Sequence, residues 1–192
     1  MSQRLEQLDD IEQRIWSELE RCVDTSARQD TEADESRHEW RVAVLATTDD
    51  GQADARSIVV REIHAAERRI VFYTDARSPK VRQIEASPRG TLMFWSRKLG
   101  WQLRMQVLLA VETSGLAVSS RWARLLTTAG ARDYLATAAP GSPLEAPQID
   151  LGSRNHFAVI EAMAETIDWL ELHPEGHRRA LFGAGGPRWL QP

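Results

Sequence analysis

Apolar positions in this chain recur with two different periods, and the switch between them divides it. Leu5, Leu8, Ile11, Ile15, Leu19 and Cys22 are spaced by three or four residues, which predicts an amphipathic helix. Residues 24–39 are polar and acidic without periodicity and read as a linker. Beyond them the pattern becomes one of strands. Residues 41–47 (RVAVLAT) and 53–63 flank Asp49-Asp50-Gly51, whose residues tolerate positive φ, so a hairpin is expected. Residues 70–74 (IVFYT) form a third strand. Ser78 followed by Pro79 has the form of a helix start, with the helix running to Ala86. Segments 91–96 and 101–113 make a further strand pair around the 97–100 turn. Ser119 or Ser120 is expected to cap a second helix carrying Trp122, Leu125 and Leu126. Residues 138–152, with three prolines and two glycines, read as a loop. Late strands are expected at 157–166, 169–172 and 178–182.

Long strands, tight hairpins and few helices favour an antiparallel barrel over a doubly wound sheet. The predicted fold is therefore mainly β (α+β). Its division is an N-terminal helix and linker over residues 1–38 and a barrel domain over 39–192.

Composition narrows the function more than it names it. With 24 basic and 28 acidic residues the net charge is −4, which argues against a nucleic-acid surface. One cysteine, Cys22, allows no internal disulfide and no cysteine metal cluster. The charged start MSQRLEQLDD lacks the apolar core of a signal peptide, and no apolar run approaches the roughly 20 residues needed to span a bilayer. A reducing cytoplasm, with no membrane partner, is the expected setting. Gly183, Gly185 and Gly186 precede no predicted helix and make no phosphate loop; the five histidines lack metal-ligand spacing, so no metal is expected.

What remains is a set of cations and hydroxyls at strand ends. Arg56 and Arg61 bracket SIVV, Tyr73-Thr74 ends a strand, and Ser78-Pro79-Lys80 opens a helix. Free N–H groups at a helix start, a hydroxyl and an ammonium together favour a phosphate dianion, and arginines can add bidentate contacts. Five residues apart on a regular strand, Arg56 and Arg61 face opposite ways. Either a bulge re-aims one, or one meets the phosphate and the other a substrate. Taken singly, a strand-end arginine is usually solvated, a Ser-Pro start is usually only a cap, and Tyr73 and Trp169 are more often packing residues.

In joint order and spacing these residues resemble the FMN-binding core of the pyridoxamine 5′-phosphate oxidase family. The resemblance runs through ARSIVVRE, RIVFYTDARSPKVRQIEASPRGTLMFW and WQLRM, and reappears in Trp169 and Arg179, ten residues apart. It implies a split β-barrel that binds FMN as a homodimer with shared sites. By it, Arg56, Ser78 and Lys80 hold the cofactor phosphate with Arg61 and Pro79 beside them. Tyr73, Thr74 and the backbone of Ile58, Val59 and Val60 line the ribityl chain and ring. Gln102 meets the polar edge of the ring, and Trp169 and Arg179 come from the other subunit.

The substrate side departs from the family. Leu126, Gly130 and Tyr134 fall where the family places a Tyr, an Arg and a Ser, and Glu175 replaces an arginine two residues before His177. An acid facing an anionic, phosphorylated substrate would repel it. The implied activity is FMN-dependent redox chemistry on a small organic molecule, with His177 a candidate substrate contact alongside Arg61 and Glu175. The alternatives are true pyridoxamine 5′-phosphate oxidation with a rebuilt phosphate site, in which Arg61, Arg121, Arg124 and Arg132 replace the missing cations, and a non-catalytic flavin-binding or flavin-sensing protein.

Overall fold

A computed structural model of the chain describes residues 4–24, 38–147, 150–153 and 155–192. Most of the 24–39 linker therefore lies outside the described residues. Eight strands follow helix α1 (Leu8–Val23): β1 (Val42–Asp49), β2 (Gln52–His64), β3 (Arg69–Asp75), β4 (Arg89–Ser96), β5 (Trp101–Glu112), β6 (Phe157–Glu171), β7 (Arg178–Gly183) and β8 (Arg188–Leu190). Helix α2 (Pro79–Ala86) separates β3 from β4, and α3 (Leu116–Leu125) follows β5. All pairings are antiparallel in the order β3-β2-β1-β4-β5-β6-β7-β8, and a β3–β6 pairing closes the first six into a barrel. The chain is an antiparallel split barrel.

Local chemistry explains the main features. Asp50 and Gly51 both have positive φ (47° and 82°), the requirement of a two-residue turn that matches strand twist. Strand β5 alternates buried and exposed positions along most of its length, so Leu103, Met105, Val107 and Leu109 enter the barrel. They meet Leu45, Val60, Phe72, Leu92, Phe94 and Ile160 in one core. Helix α1 packs on β2 and contributes Ile11, Ile15 and Leu19, each fully buried, to that same core. A smaller cluster of Val71, Tyr134, Phe157 and Val159 lies outside the barrel wall under α3.

Two expectations are corrected. Strands 157–166 and 169–172 are a single 15-residue strand, β6. Gln106 pairs with Thr166 but Val107 pairs with Ala164, so Glu165 is an extra residue; this bulge shifts the inward phase by one and mimics a strand break in sequence. Ser119 and Ser120 lie inside α3, whose N-cap is Gly115; their hydroxyls donate to the carbonyls of Leu116 and Ala117. The short strand β8 and the 3₁₀ turn Ala129–Tyr134 carried no clear signal in the sequence.

Candidate functional site

Strand β3 delivers Thr74 to one end of the barrel, and the turn after it delivers Ser78 to the start of α2. Ser78 has the extended backbone of an N-cap, yet its hydroxyl makes no capping bond. It turns instead to Thr74 Oγ1 at 3.1 Å. Lys80 Nζ donates to both hydroxyls, at 3.1 Å each. Thr74 and Ser78 are only 5% and 2% exposed, so this is a built cluster rather than surface chance. No carboxylate of the described residues pairs with Lys80; Asp75 and Asp54 act on it through space only. Burial first, and then the Arg56 guanidinium, hold the Lys80 ammonium below its ordinary pKa. Such a cation is short of negative charge.

Arg56 reaches the same end of the barrel from β2. Its guanidinium donates to Thr47 Oγ1 at 2.5 Å and to Gln83 Oε1 at 2.8 Å, and pairs with Asp54 at 2.5 Å. Gln83, 2% exposed on α2, also accepts from the Thr47 hydroxyl at 2.6 Å and donates to Asp54 at 2.8 Å. It locks α2 onto the β1–β2 hairpin. Thr47 and Gln83 were absent from the sequence-based set. The one available signal was an amide between Val81 and Ile84 on the inward side of a short helix.

Strand β2 pairs with β1 along Gln52–Val59, but its pairing with β3 begins only at Val60. One backbone edge of the stretch containing Ile58 and Val59 is therefore not taken by β3. Ile58 and Val60 point into the core, whereas Val59 is 39% exposed. A bulge is present, since Val60 pairs with Phe72 and Glu62 with Val71, leaving Arg61 extra, but it does not bring Arg56 and Arg61 to one face. Following the buried Val60, Arg61 faces outward over the Tyr73 ring, at 5.7 Å, away from the Arg56 cluster. Tyr73 donates its hydroxyl to Glu62 at 2.8 Å and packs edge-on against Phe157. Arg121 of α3 grips both oxygens of Glu62, at 2.9 and 2.8 Å. Chiefly through Arg121, the Glu62 carboxyl is pulled down to about 2, while burial and then Glu62 push the Tyr73 phenol up to about 12. Arg61 is thus separated from the Ser78/Lys80 cluster rather than joined to it.

The downstream residues gather at the opposite end of the barrel. Gln102 lies across from Leu170, and Leu170 across from Arg179, so Gln102 and Arg179 share one row on the outer face. The Gln102 amide makes no hydrogen bond to the described residues. Arg179 is held by Asp168 through Nε at 2.9 Å and Nη2 at 2.7 Å. Trp169 does not join them. It pairs with Ala180, faces inward and is fully buried against Trp101, with ring centroids 5.3 Å apart. A ten-residue interval across a turn does not fix the face: Arg179 sits opposite Leu170, so it and Trp169 lie on opposite sides of the sheet. Within one copy Trp169 is a core residue.

Glu175 and His177 occupy the β6–β7 turn at this second end, far from Arg61. His177 Nδ1 accepts from the His173 backbone N–H at 3.1 Å, and the Glu175 side chain is 79% exposed. Within one copy, then, neither faces a pocket with Arg61. A cavity of about 520 Å³ between α1, Leu99, Trp101 and Glu171 contains none of the sequence-predicted residues. Among the described residues, no cluster of three or more His, Cys, Asp or Glu could hold a metal, and no helix is long and apolar enough to cross a membrane.

The donor set at the α2 start fits a phosphorylated flavin. It offers a half-buried ammonium with no acid paired to it among the described residues and a hydroxyl released from capping, beside an open backbone edge; Pro79 has no N–H to give, and the Val81 N–H donates to the Ser78 carbonyl at 3.0 Å. Comparison with known proteins agrees. Solved structures with a similar fold include a pyridoxamine 5′-phosphate oxidase-related, FMN binding protein from Nostoc punctiforme (23% identity, TM-score 0.73, covering 94% of this chain and 96% of that one). Another is PhzG from Burkholderia lata, solved with tetrahydrophenazine-1-carboxylic acid (18% identity, TM-score 0.66, 80% and 83% covered). The pyridoxine/pyridoxamine 5′-phosphate oxidase of Rubrobacter xylanophilus is 40% identical over 70 residues, 36% of this chain and 31% of that protein. Its counterpart in Thermosynechococcus vestitus is 37% identical over 57 residues, 30% of this chain and 26% of that protein. The matched stretch thus spans less than a third of either relative's length. Residues 16–112 match the family described as pyridoxamine 5′-phosphate oxidase, FMN-binding domain, and the chain belongs to that FMN-binding family.

Proposed function

We propose that the chain is an FMN-dependent oxidoreductase acting on a small organic molecule other than pyridoxamine 5′-phosphate, working as a homodimer with shared flavin sites. The observation that carries this reading is Lys80: a largely buried cation held by Thr74 and Ser78 at a helix start, with no acid paired to it among the described residues. In the proposed site Lys80 and Ser78 bind the phosphate, and Arg56 adds positive charge from behind. The unpaired edge of β2 orients the ribityl chain, with Thr74 below it. When bound, the flavin supplies hydride and electron transfer; the protein supplies binding, orientation and local charge.

The two-copy arrangement follows from distance. Counting strand rise and spacing, Gln102 lies roughly 15–20 Å from the Thr47–Arg56 end and on the opposite face of the wall. A second copy laid against the outer face supplies Gln102 and Arg179 to the first copy's flavin. That face carries Val42, Met93 and Trp95, at 50%, 38% and 45% exposure, an apolar surface suited to such a contact.

A rebuilt phosphate site for pyridoxamine 5′-phosphate is disfavoured by how the nearby cations are spent. Arg121 and Arg124 are both drawn to Glu62, the latter at 3.5 Å. Anaerobic mixing of the flavin-loaded protein with a substrate panel tests the reading. Bleaching of the flavin by a non-phosphorylated compound is expected. Efficient bleaching by pyridoxamine 5′-phosphate would overturn the substrate assignment, and no bleaching by any donor would favour a flavin-binding role without catalysis. Light scattering across a dilution series tests the shared site; a flavin-loaded monomer would contradict it.

A further inference from the structure

Three charged side chains meet on the outer face of the β5–β6–β7 sheet, and their arrangement is specific. Asp168 lies directly across from Arg104 and diagonally from Arg179, whose own partner in the ladder is Leu170. It is the least exposed of the three, at 15% against 47% for Arg104 and 30% for Arg179. Both arginines bond to it: Arg104 through Nη2, and Arg179 through Nε and Nη2 at 2.9 and 2.7 Å. One carboxylate therefore serves two guanidinium groups, and the cluster keeps one net positive charge.

The bidentate grip also fixes direction. A guanidinium is planar, so using the Nε/Nη2 edge of Arg179 leaves Nη1 as the corner without a partner among the described residues. Gln102, in the same row, has an amide with no hydrogen bond to the described residues. A planar, polar edge approaching this row meets an amide and one corner of a pinned arginine, rather than a mobile full cation.

We propose that Asp168 is a positioning residue that orients Arg179 and offsets its charge, setting how strongly this face favours the reduced, more negative form of a bound flavin. This rests on the reading of Gln102 and Arg179 as flavin contacts across the dimer. Positive charge near the ring stabilises the anion formed on reduction. Sharing Asp168 with Arg104 tempers that effect, so the potential is set by the balance of three side chains.

The test is the midpoint potential of bound FMN, measured by dye equilibration in the full chain. Asp168→Asn is expected to move it positive, the reduced form gaining about tenfold in affinity over the oxidised form, which is about 30 mV for a two-electron couple. Asp168→Glu keeps the charge and stays near wild type. Arg179→Gln moves the potential negative, and Arg104→Gln does so too, because Asp168 then acts on Arg179 alone. A wild-type potential in Asp168→Asn, with Arg179→Gln shifted, overturns the role of Asp168 and leaves the site reading standing. Wild-type potentials in both Asp168→Asn and Arg179→Gln, with flavin bound, overturn Arg179 as a flavin contact and the inference with it. Should Asp168→Asn not fold, a positive shift in Arg104→Gln overturns the proposal by itself.

Discussion

Replacing Lys80 by alanine removes one ammonium and two hydrogen bonds, both to neutral hydroxyls at 3.1 Å. In the protein without cofactor this loss is small or favourable. Burial and the neighbouring Arg56 hold the Lys80 pKa below its ordinary value, so the charged side chain is a burden on the fold. The sign follows from linkage. A lysine with a lowered folded pKa costs stability in full below that pKa, and the cost fades as pH rises toward the unfolded value, about 10.4. With FMN bound the position reverses, because the phosphate dianion supplies the missing counter-charge. Losing one charge-assisted bond of this kind costs roughly 1.5–3 kcal/mol of binding, about ten- to 150-fold in Kd. We therefore expect Lys80→Ala to weaken FMN in calorimetric titration while the apoprotein melts no lower than wild type at neutral pH. Unchanged affinity would remove Lys80 from the phosphate site. An apoprotein that melts much lower would show that Lys80 mainly holds the α2 start together.

Two further outcomes test the surroundings. Glu62, with its carboxyl held at about 2 first by Arg121, contributes stability in full above the ordinary value of 4.5, and this is lost as pH falls toward 2. Glu62→Gln should lower the unfolding free energy from urea melts at neutral pH by on the order of 2 kcal/mol, and wild type and variant should converge in acid; parallel curves would refute the Glu62–Arg121 lock. Trp169 is fully buried with its indole N–H without a partner among the described residues, so Trp169→Phe should cost on the order of 1–2 kcal/mol in urea unfolding and leave FMN affinity unchanged; a large loss of affinity would place Trp169 in the site.

Much of this architecture was legible because local chemistry and global fold agree. Asp50-Gly51 dictates its hairpin, Ser78-Pro79 its helix start, and the alternation in β5 its barrel face. The Ser78/Lys80 cluster was legible too, since its members lie within seven residues of Thr74. Features that depend on register were not. Whether Trp169 and Arg179 share a face is decided by the β6–β7 pairing, which no residue interval reveals. The Glu165 bulge reversed the inward phase of β6 and looked like a break. Thr47 and Gln83 are bonded across 36 positions, and only tertiary structure brings them together.

The central claim is that the α2 start binds a phosphate and thereby the flavin. The most direct measurement is the calorimetric affinity of the wild-type apoprotein for FMN against riboflavin, which differs only in lacking the phosphate. With Lys80 and Ser78 on that phosphate, FMN should bind about a hundredfold more tightly, some 3 kcal/mol from two charge-assisted bonds. Equal affinities for the two would contradict the account.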